Sequence, residues 1–558
     1  MNLNTEQRNA VNSKAEVSIV LAGPGSGKTR VLIARVLHLI ALDADPAKIV
    51  VITYTNAGAK EIMQRLPKEA ASALGYVGTL HGWCLRLLQQ CGANLGYRKG
   101  RAITILREED REALLQRVRD GLGYAKVSMK EIAAGVTPRA KQIALEYRSR
   151  MKRENMIDFD KILEDGLRLM QSKGVLALPE LEHLLVDEFQ DSAAIDYQII
   201  VHGAQPTKSL FIVGDSDQSI FGFRGANPAQ FTALANGHAP LGWVFQLEKN
   251  YRSDIAICEA ANRLIAHNTQ RIPKMIAPTS EESGDVIVDR YDSAREENHG
   301  IGVMIKTLLS HCEAPSEIAV LALTNEIVTG IRETLVSMGI PVAQKRAEKL
   351  PHDWSFCLTT IQLMMDRQNN LLAEAYLRGV GYSLPGINTL IMKSMKTGRP
   401  IFDLSDAFVW DSGFPWRWDC EILPRMLTEA RVGAESVALV TQRIAALPQA
   451  FPTLPDLLSD LFRHEDWKEE AKVDGVVVST IHGAKGREWD TVFVAGCEEG
   501  ILPRLTKTAD IEEERRLMFV AVTRARHRLI LSHCSLRWSF GRRLEQSPSR
   551  FIAEMKIP

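Results

Sequence analysis

The segment Val17–Thr29 narrows the possible folds of this chain sharply, because it predicts a buried strand that runs directly into a phosphate-binding loop. Glycines in the loop let backbone N–H groups surround phosphate oxygens, since no Cβ stands in the way. Lys28 can reach the β- and γ-phosphates, and the Thr29 hydroxyl can hold Mg²⁺. The helix predicted from Val31 onward adds a positive dipole end. The residues expected to contact the nucleotide here are Gly23, Pro24, Gly25, Ser26, Gly27, Lys28, Thr29 and Arg30.

A second nucleotide signal is the apolar run Leu184–Val186, which ends in Asp187 and Glu188. At the C-terminal edge of a parallel strand, Asp187 would lie opposite the phosphate-binding loop and reach Mg²⁺. Glu188 would then be placed to orient or deprotonate an attacking water. Together the two signals predict phosphoryl transfer from a nucleoside triphosphate, most simply to water.

Composition limits the classes of partner. The chain of 558 residues has 68 Lys+Arg and 68 Asp+Glu, so nucleic-acid binding would require a local groove rather than a globally basic surface. Its 8 cysteines are scattered without a Cys-x-x-Cys pair, and its 13 histidines form no His-x₃-His pair. This pattern predicts reduced thiols, no zinc or iron–sulfur site and a cytoplasmic location. The sequence has no signal-peptide pattern and no apolar run of membrane-spanning length, so no membrane association is expected.

The order of apolar runs predicts an α/β fold with two parallel-sheet cores. Strand-like and helix-like segments alternate over residues 1–89 and return at residues 184–213, after a charged helical stretch at 90–178. The second half repeats this arrangement, with a helix-rich stretch at residues 349–470 between strand-like runs. The strand-like runs of the second half are Ile318–Leu323, Val476–Thr480, Thr491–Val494 and Leu529–Leu531. Each core is therefore predicted to carry a helical insertion.

The remaining motifs and their order resemble the UvrD/Rep/PcrA family of superfamily 1 helicases. The resemblance covers both predicted cores, and the two insertions match by position and helical character only. The motifs that carry it are Leu3–Gln7, the phosphate-binding loop, Thr53–Asn56, Gly78–Gly82, Asp187–Asp191, Val213–Ala226, Asn250–Ser253, Thr480–Gly486 and Val522–Arg526.

The resemblance implies two RecA-like domains that bind ATP between them and single-stranded DNA across their tops. The first RecA-like domain would comprise residues 1–89 and 179–248, with helical insertion 90–178. The second would comprise residues 249–348 and 471–558, with helical insertion 349–470.

The resemblance also assigns roles around ATP. Gln7 would read the adenine edge and Tyr251 would stack on the ring, while Gln218 would sense the γ-phosphate. Arg252 and Arg524, both from the second core, would act as arginine fingers. An arginine supplied across a cleft stabilises transition-state charge only when the cleft is closed, which couples hydrolysis to domain movement. Glu488 completes the expected nucleotide site.

Three aromatic residues, Tyr54, Phe221 and Phe223, lie just past strand ends, where a role in the core is less common. Stacking of bases on such rings tolerates any sequence. The resemblance favours stacking for Phe223 and Tyr54, and it implies contacts to the DNA backbone or a coupling role for other residues of these motifs. The full set expected to contact DNA is Tyr54, Thr55, Asn56, Thr79, His81, Phe221, Phe223, Arg224, Thr480, His482 and Lys485.

The sequence departs from the family pattern at a few positions. Phe223 stands where the family usually has Trp, Gly58 where Lys is frequent, and Gly483 where Ser is usual. The two insertions look shorter than those of the housekeeping members, and the long C-terminal tail of UvrD is not seen after Arg528. No nuclease-like carboxylate cluster follows the second core, which disfavours a helicase–nuclease of the RecB type.

These features predict an ATP- and Mg²⁺-dependent enzyme that moves 3′ to 5′ on single-stranded DNA and separates duplex at single-strand/duplex junctions. The polarity comes from the resemblance alone, and roles in DNA repair or in anti-phage defence are both open. The alternative is a DNA-sensing ATPase subunit that regulates a partner nuclease, as in compact UvrD-like subunits of Gabija-type defence systems. A small-molecule P-loop kinase lacks support, because it would need neither a second core nor the Arg524 motif.

Overall fold

A computed structural model of the chain describes most of both cores and parts of both insertions. The described residues are 2–98, 103–106, 108–128, 131–132, 135–172, 181–205, 207–343, 354–365, 368–397, 399–405, 427–428, 432–446, 475–505, 510–539 and 542–557.

The N-terminal part of the first core forms where continuous apolar runs alternate with amphipathic ones. Strands β1 and β2 bury nearly every residue, as expected for strands covered on both faces. The strands are β1 (Val17–Ala22), β2 (Ile49–Thr53) and β3 (Tyr76–Thr79). The helices are α1 (Thr5–Val11), α2 (Lys28–Ala41), α3 (Asn56–Arg65), α4 (Lys68–Ala73) and α5 (Leu80–Cys91).

The first insertion is mostly helical, but it also contains a small parallel sheet that the sequence did not indicate. Its elements are β4 (Thr104–Leu106), α6 (Glu108–Gly121), α7 (Pro138–Arg153), β5 (Met156–Asp158) and α8 (Phe159–Gln171), with β4 paired to β5. Leu114, Val118, Ile143 and Tyr147 lie in its core, whereas Leu145 is exposed.

The chain then returns to complete the first sheet. The returning elements are β6 (His183–Val186), α9 (Ala194–Ala204), β7 (Ser209–Gly214), α10 (Pro228–His238) and β8 (Val244–Leu247). The strand order is β3-β2-β6-β7-β1-β8, and all pairs are parallel. The carboxyl ends of β6, β7 and β1 therefore meet at one edge, which brings the two sequence-predicted nucleotide signals together.

The second core begins with a short pair of strands that crosses from the first. Its first elements are β9 (Lys249–Asn250), α11 (Ile255–Ile265), β10 (Ala277–Pro278), β11 (Asp285–Ser293), α12 (Ala294–Ser310), β12 (Ile318–Ala322) and α13 (Asn325–Ser337). Strands β9 and β10 pair only with each other.

The described part of the second insertion is helical. Its helices are α14 (Trp354–Met365), α15 (Asn370–Gly379), α16 (Leu384–Thr397) and α17 (Ala434–Ala446). Residues 406–426 and 447–470, which the sequence placed in this insertion, lie outside the described residues. Side chains of this insertion reach the first one, since Arg117 Nη1 lies 2.9 Å from Glu374 Oε2 and Gln362 donates a hydrogen bond to the Ile105 carbonyl.

The last part of the chain completes the second sheet. Its elements are β13 (Val477–Thr480), β14 (Trp489–Ala495), α18 (Ile511–Val522), β15 (Ala525–Ser539), β16 (Arg542–Glu545) and α19 (Arg550–Met555). The parallel order is β11-β15-β14-β12-β13, with β16 antiparallel to β15. The strand expected at Leu529–Leu531 is thus much longer. The prediction of an α/β fold with two parallel sheets is confirmed. Among the described residues, no helix combines the length and apolarity that crossing a bilayer would need.

Candidate nucleotide cleft and nucleic-acid surface

The phosphate-binding loop lies between β1 and α2 and is packed closely against the start of the second core. Gly25 has a φ of +66°, and a Cβ there would lie 2.7 Å from the Cβ of Arg252 and 2.8 Å from Nδ2 of Asn250. Glycine is therefore required both for the backbone conformation and for this close approach. Gly27 also has a positive φ, +83°, at the position just before α2.

Lys28 starts α2 and points into a buried group of acidic residues. Its Nζ donates to the Ala22 carbonyl at 3.4 Å and lies 3.9 Å from Asp215 Oδ2. Burial lowers the pKa of Lys28, and the carboxylates of Glu188, Asp215 and Asp187 oppose that change. Thr29 beside it is half-buried and Arg30 is exposed, so exposure to solvent increases along the first residues of α2.

The two carboxylates after β6 differ in their environment. Burial, followed by the neighbouring Glu188 charge, raises the pKa of Asp187 to about 7. Glu188 is half-buried, and burial acts to raise its pKa, but the cations of Lys28 and Lys485 outweigh that effect and lower the pKa of Glu188 overall. Glu188 also has a φ of +51°, a rare conformation for a residue with a side chain, and its amide donates to Asp187 Oδ1 at 2.9 Å. The turn therefore keeps Glu188 ionised beside Lys28.

Gln218 lies where the two cores meet. Its Nε2 donates to Asp215 Oδ2 at 2.6 Å, and its Oε1 accepts from Arg524 Nη2 at 3.3 Å. Asp215 follows β7, and Arg524 follows α18 of the second core. The side chain of Gln218 thus bridges a residue of one sheet and an arginine of the other.

The two arginines proposed as fingers are both held by second-core groups. Arg524 is only 1% exposed and also donates to the carbonyls of Val520 and Arg487. Burial, followed by the neighbouring Arg252 charge, lowers the pKa of Arg524. Arg252 forms an ion pair with Glu488 and donates to the Thr523 carbonyl at 3.0 Å.

Glu488 was expected in the nucleotide site, and the structure uses its carboxylate to orient arginines. It pairs with Arg252 and also with Arg526 at 3.0 Å. Burial acts to raise the pKa of Glu488, but the two guanidinium groups lower it overall. In this structure Glu488 therefore positions Arg252.

The residues expected at adenine lie at the N-terminus of α1 and beside the phosphate-binding loop. Tyr251 is 49% exposed, its hydroxyl accepts from Asn4 Nδ2 at 2.8 Å, and its amide donates to the Gly25 carbonyl at 3.0 Å. Gln7 is buried, and both ends of its side-chain amide have partners. Its Oε1 accepts a hydrogen bond from the Asn4 amide, and its Nε2 donates one to the Ser26 carbonyl at 2.9 Å. The amide of Gln7 is thus already engaged within the protein, whereas the ring of Tyr251 is open.

An exposed aromatic surface lies on the loop after β7. Phe223 is 68% exposed, and its ring centroid lies 5.6 Å from that of His482 in an edge-on arrangement. The guanidinium of Arg224 lies over the rings of Phe221 and Phe223, at 5.3 and 5.7 Å. Burial, followed by the nearby Arg504, lowers the pKa of His482, which favours its neutral form. Rings and cations from both cores therefore form one surface.

The aromatic surface is fastened to α18. The Gly222 amide donates to Glu513 Oε1 at 2.9 Å, and Arg516 Nε donates to the Ser219 carbonyl at 2.9 Å. Both side chains come from the helix that leads to Arg524. The same helix therefore contacts the aromatic loop and carries the buried arginine of the cleft.

Several residues expected to contact DNA serve in local structure. Tyr54 is half-buried against the first core, and its hydroxyl lies in hydrogen-bond contact with Ser192 Oγ. The hydroxyls of Thr55 and Thr79 cap α3 and α5, and Thr480 Oγ1 accepts from the Gly483 amide at 3.2 Å. A hydroxyl that accepts such a bond still has its proton to donate. Asn56 is the first residue of α3 and follows the Thr55 cap.

Lys485 was expected to contact a DNA phosphate, but the structure places it between the two cores. Its Nζ lies 2.8 Å from Asp191 Oδ1 and 2.9 Å from the Gln218 carbonyl, and it is 4.9 Å from the ring centroid of Phe221. Burial raises the pKa of Asp191 to about 6, although Lys485 opposes the change. Lys485 thus joins the carboxylate turn after β6 to the aromatic surface.

Comparison with known proteins agrees with this geometry. Residues 3–137 and 124–239 match the model of the UvrD/REP helicase N-terminal domain, and residues 245–350 and 448–536 match that of the UvrD-like helicase C-terminal domain. The ATP-dependent DNA helicase PcrA of Leuconostoc citreum is 29% identical, over 99% of this chain and 84% of that protein. The PcrA proteins of Staphylococcus epidermidis and Staphylococcus aureus are each 27% identical, over 99% of this chain and 86% of their own length.

The chain belongs to the UvrD/Rep/PcrA-like family of ATP-dependent DNA helicases.

Sequence reasoning missed two features of this UvrD-like helicase. Phe159, at the start of α8, is half-exposed and stacks on His81 with a centroid separation of 4.3 Å. An exposed aromatic directly after a capping Asp158 is the signal that could have found it. Asn250 is buried, with Nδ2 donating to the Pro24 carbonyl and Oδ1 accepting from the Arg252 amide, each at 2.8 Å. It fixes the phosphate-binding loop against the second core, a contact that no local pattern encodes.

We expect Asn250→Ala to lower both stability and nucleotide affinity in this UvrD-like helicase. The substitution leaves the buried Pro24 carbonyl and the Arg252 and Ser253 amides without partners. The free energy of unfolding should fall by about 3 kcal/mol or more, since each of the three groups left without a partner costs about 1–3 kcal/mol. Urea unfolding followed by circular dichroism and ADP titration would measure both effects.

The matched control is Asn227→Ala, which removes an exposed helix cap at the start of α10. It should cost only about 1 kcal/mol and leave ADP affinity unchanged. Equal losses in the two variants would show that Asn250 has no special role at the loop.

Proposed function

We propose that this chain hydrolyses ATP between its two parallel-sheet cores and uses the cycle to move 3′ to 5′ on single-stranded DNA and to separate duplex. The observation that carries the proposal is the contact of 3.3 Å between Arg524 of the second core and Gln218 of the first. A cleft that brings an arginine across to a polar group beside Lys28 is suited to charge stabilisation only when closed. The polarity is supported by the family resemblance alone.

The proposed chemistry follows from the charges around Lys28. Lys28 would hold the β- and γ-phosphates, and Glu188, kept ionised by its neighbouring cations, would orient the attacking water and accept its proton. Gln218 and Arg524 would contact the γ-phosphate together. Arg252, held by its ion pair with Glu488, would reach the same phosphate. Tyr251, with its open ring, would stack on adenine.

Mg²⁺ fits the oxygen donors at this site. Thr29 and Asp187 offer a hydroxyl and a carboxylate, the hard ligands that Mg²⁺ prefers. The raised pKa of Asp187, about 7, is what a buried carboxylate has before a divalent cation neutralises it. Mg²⁺ held by these two residues would supply positive charge to the phosphates of ATP.

The proposed domain division places the cleft between residues 1–89 with 179–248 and residues 249–348 with 471–558. Stretches 90–178 and 349–470 would be the two insertions. The division is supported by the strand orders of the two sheets, each of which is completed only after the chain returns from an insertion.

The proposed DNA surface crosses both cores at the aromatic loop. Phe223, with its exposed ring, would stack on a base, with Arg224 and His482 beside it. Phe159 and His81 would extend the surface towards the first insertion. Thr55, Thr79 and Thr480 would offer hydroxyl protons to phosphates, and Lys485 would respond to DNA through Phe221 rather than touch a phosphate.

A second candidate function is a DNA-sensing ATPase subunit that regulates a partner nuclease. The observation that favours it is the compactness of the chain. The match to the Leuconostoc citreum PcrA runs over 650 positions, more than the 558 residues of this chain, so the relative carries internal stretches that this chain lacks. Such a chain could keep its motor function and depend on a partner for other steps.

We expect Lys28→Ala to lower DNA-stimulated ATP turnover about 100-fold or more, because the β- and γ-phosphates lose their cation.

Glu188→Gln should lose turnover to a similar extent but keep ATP and DNA binding, since glutamine preserves shape and cannot accept the water's proton. Turnover and nucleotide binding are measured on the same preparations. A Glu188→Gln variant that loses binding in proportion to turnover would contradict the assigned role.

Phe223→Ala should weaken single-stranded DNA binding about tenfold, because base–aromatic stacking contributes about 1–3 kcal/mol per base. The loss should be the same at low and high salt, since stacking releases no counterions, and ATPase without DNA should not change. Fluorescence anisotropy at two salt concentrations measures it. Leu241→Ala, which truncates another exposed apolar side chain, should leave DNA affinity unchanged. Unchanged affinity in Phe223→Ala would contradict base stacking.

Translocation on single strands by the purified chain should exceed its unwinding of 3′-tailed duplex. Each base-pair step costs about 1.4 kcal/mol of stacking, so a motor with a weak grip on duplex slips backward. Single-turnover unwinding of duplexes of increasing length, beside a translocation assay, separates the two candidate functions. Efficient unwinding of long duplex by the chain alone would reject the regulatory alternative, and movement towards the 5′-labelled end only would support the proposed polarity.

A further inference from the structure

Lys274 lies in a segment, residues 266–276, that connects α11 to β10 and contacts both cores. On one side, Asn268 Nδ2 donates to the Glu512 carbonyl at the start of α18, at 3.0 Å. On the other, Arg271 and Lys274 pair with carboxylates that follow β7 of the first core. The segment therefore brings cations of the second half of the chain into the first core beside the γ-phosphate-sensing Gln218.

Lys274 is buried between two acidic residues. Its Nζ lies 2.6 Å from Asp215 Oδ1 and 2.7 Å from Asp217 Oδ2, and its side chain is 3% exposed. Burial would lower the pKa of Lys274, but the two carboxylates raise it overall, so the ammonium stays charged. A charge this deeply buried is retained only where its partners compensate it.

Asp215 is shared by three side chains, and its Oδ1 also accepts from the Asp217 amide at 3.1 Å. Its Oδ1 faces Lys274, while its Oδ2 accepts from Gln218 Nε2 at 2.6 Å and lies 3.9 Å from Lys28 Nζ. Lys28 is therefore the farther of two ammonium groups that this carboxylate attracts. Without Lys274, the uncompensated charge of Asp215 would draw Lys28 away from the phosphates. The side chain of Gln218 would also be held less firmly in its orientation toward Arg524.

We infer that Lys274 is a positioning residue for ATP hydrolysis: it neutralises Asp215, which leaves Lys28 free to bind the β- and γ-phosphates and holds Gln218 against Arg524. The inference rests on the proposed hydrolysis at this cleft. Lys274 would act through Asp215 and would not itself touch the nucleotide.

A purely structural ion pair is the competing explanation, and Arg271 provides the matched control. Arg271 Nη2 lies 2.7 Å from Asp217 Oδ2, in the same segment and nearly as buried, but its ion pair is with Asp217 rather than Asp215. If the segment only needs an anchor to the first core, removing either cation should have the same effect. If Lys274 acts through Asp215, only its removal should change the response to ATP.

The experiment compares the wild-type chain with Lys274→Met, Arg271→Met and the double variant Asp215→Asn/Lys274→Met. The measurements are kcat and KM for ATP with saturating single-stranded DNA, ADP affinity and melting temperature. Lys274→Met should raise KM for ATP about tenfold and lower kcat about tenfold, the size expected when one phosphate contact is weakened. Arg271→Met should lower the melting temperature and keep KM for ATP within about threefold of the wild type.

The double variant tests the route through Asp215. Once the carboxylate is neutral, Lys28 has no competing partner, so KM for ATP should return to within about threefold of the wild type even if kcat stays low. A double variant with KM no better than Lys274→Met would overturn the inference. So would equal effects of Lys274→Met and Arg271→Met on KM and kcat.

Lys274→Gln covers the case in which Lys274→Met does not fold. Glutamine can still donate hydrogen bonds to Asp215 and Asp217 but carries no charge, so the raised KM for ATP should persist. Wild-type KM and kcat in Lys274→Gln would overturn the inference. A wild-type chain without ATP turnover would instead reject the proposed function, which separates the two failures.

Discussion

The hydrogen bond between Gln218 and Arg524 is the contact on which the catalytic cleft depends. Both side chains are buried, and each is held by its own core, Gln218 by Asp215 after β7 and Arg524 by the carbonyls around α18. A polar contact at the meeting point of two sheets is sensitive to small shifts between them, since hydrogen bonds weaken steeply with distance and angle. The position of the second core thus decides whether Gln218 and Arg524 stay in contact.

Helix α18 links this contact to the aromatic loop of the first core. Glu513 and Arg516, in its first half, bind the backbone of the aromatic loop, and Arg524 follows its last turn. A helix of 12 residues is about 18 Å long and behaves as a stiff element on this scale. If the loop that carries Phe223 moves, the helix must move with it or its contacts to the loop must break. The buried pair of Lys485 and Asp191 adds a second link, from the same loop to the turn of Glu188.

Local patterns predicted much of the fold, because its strands and helices depend on runs of neighbouring residues. Strands β1 and β2 are continuous apolar runs, and their ends fix where Lys28 lies. The edge strand β11 was not predicted, because several of its residues are exposed or half-exposed and charged. Strands β4 and β5 were not predicted either, because each is only three residues long. The ion pair of Lys485 was not predicted for a different reason. Its partner Asp191 lies 294 positions away, and no local pattern reports such a pairing.

In the part of the chain that the structure describes, the hydrogen bonds and ion pairs between the two insertions involve none of the residues of the cleft. Arg117 pairs with Glu374, and Asn369 donates a hydrogen bond to the Glu154 carbonyl. None of these four residues belongs to the two large sheets that carry Gln218 and Arg524 at their edges. The Arg117–Glu374 ion pair has a partly exposed partner and contributes little, whereas Asn369 and Gln362 are buried, so opening these contacts would leave buried polar groups without partners. These groups all belong to the insertions, whereas the Gln218–Arg524 contact belongs to the two sheet cores. The contacts between the insertions can therefore change without altering the side chains that join Gln218 to Arg524.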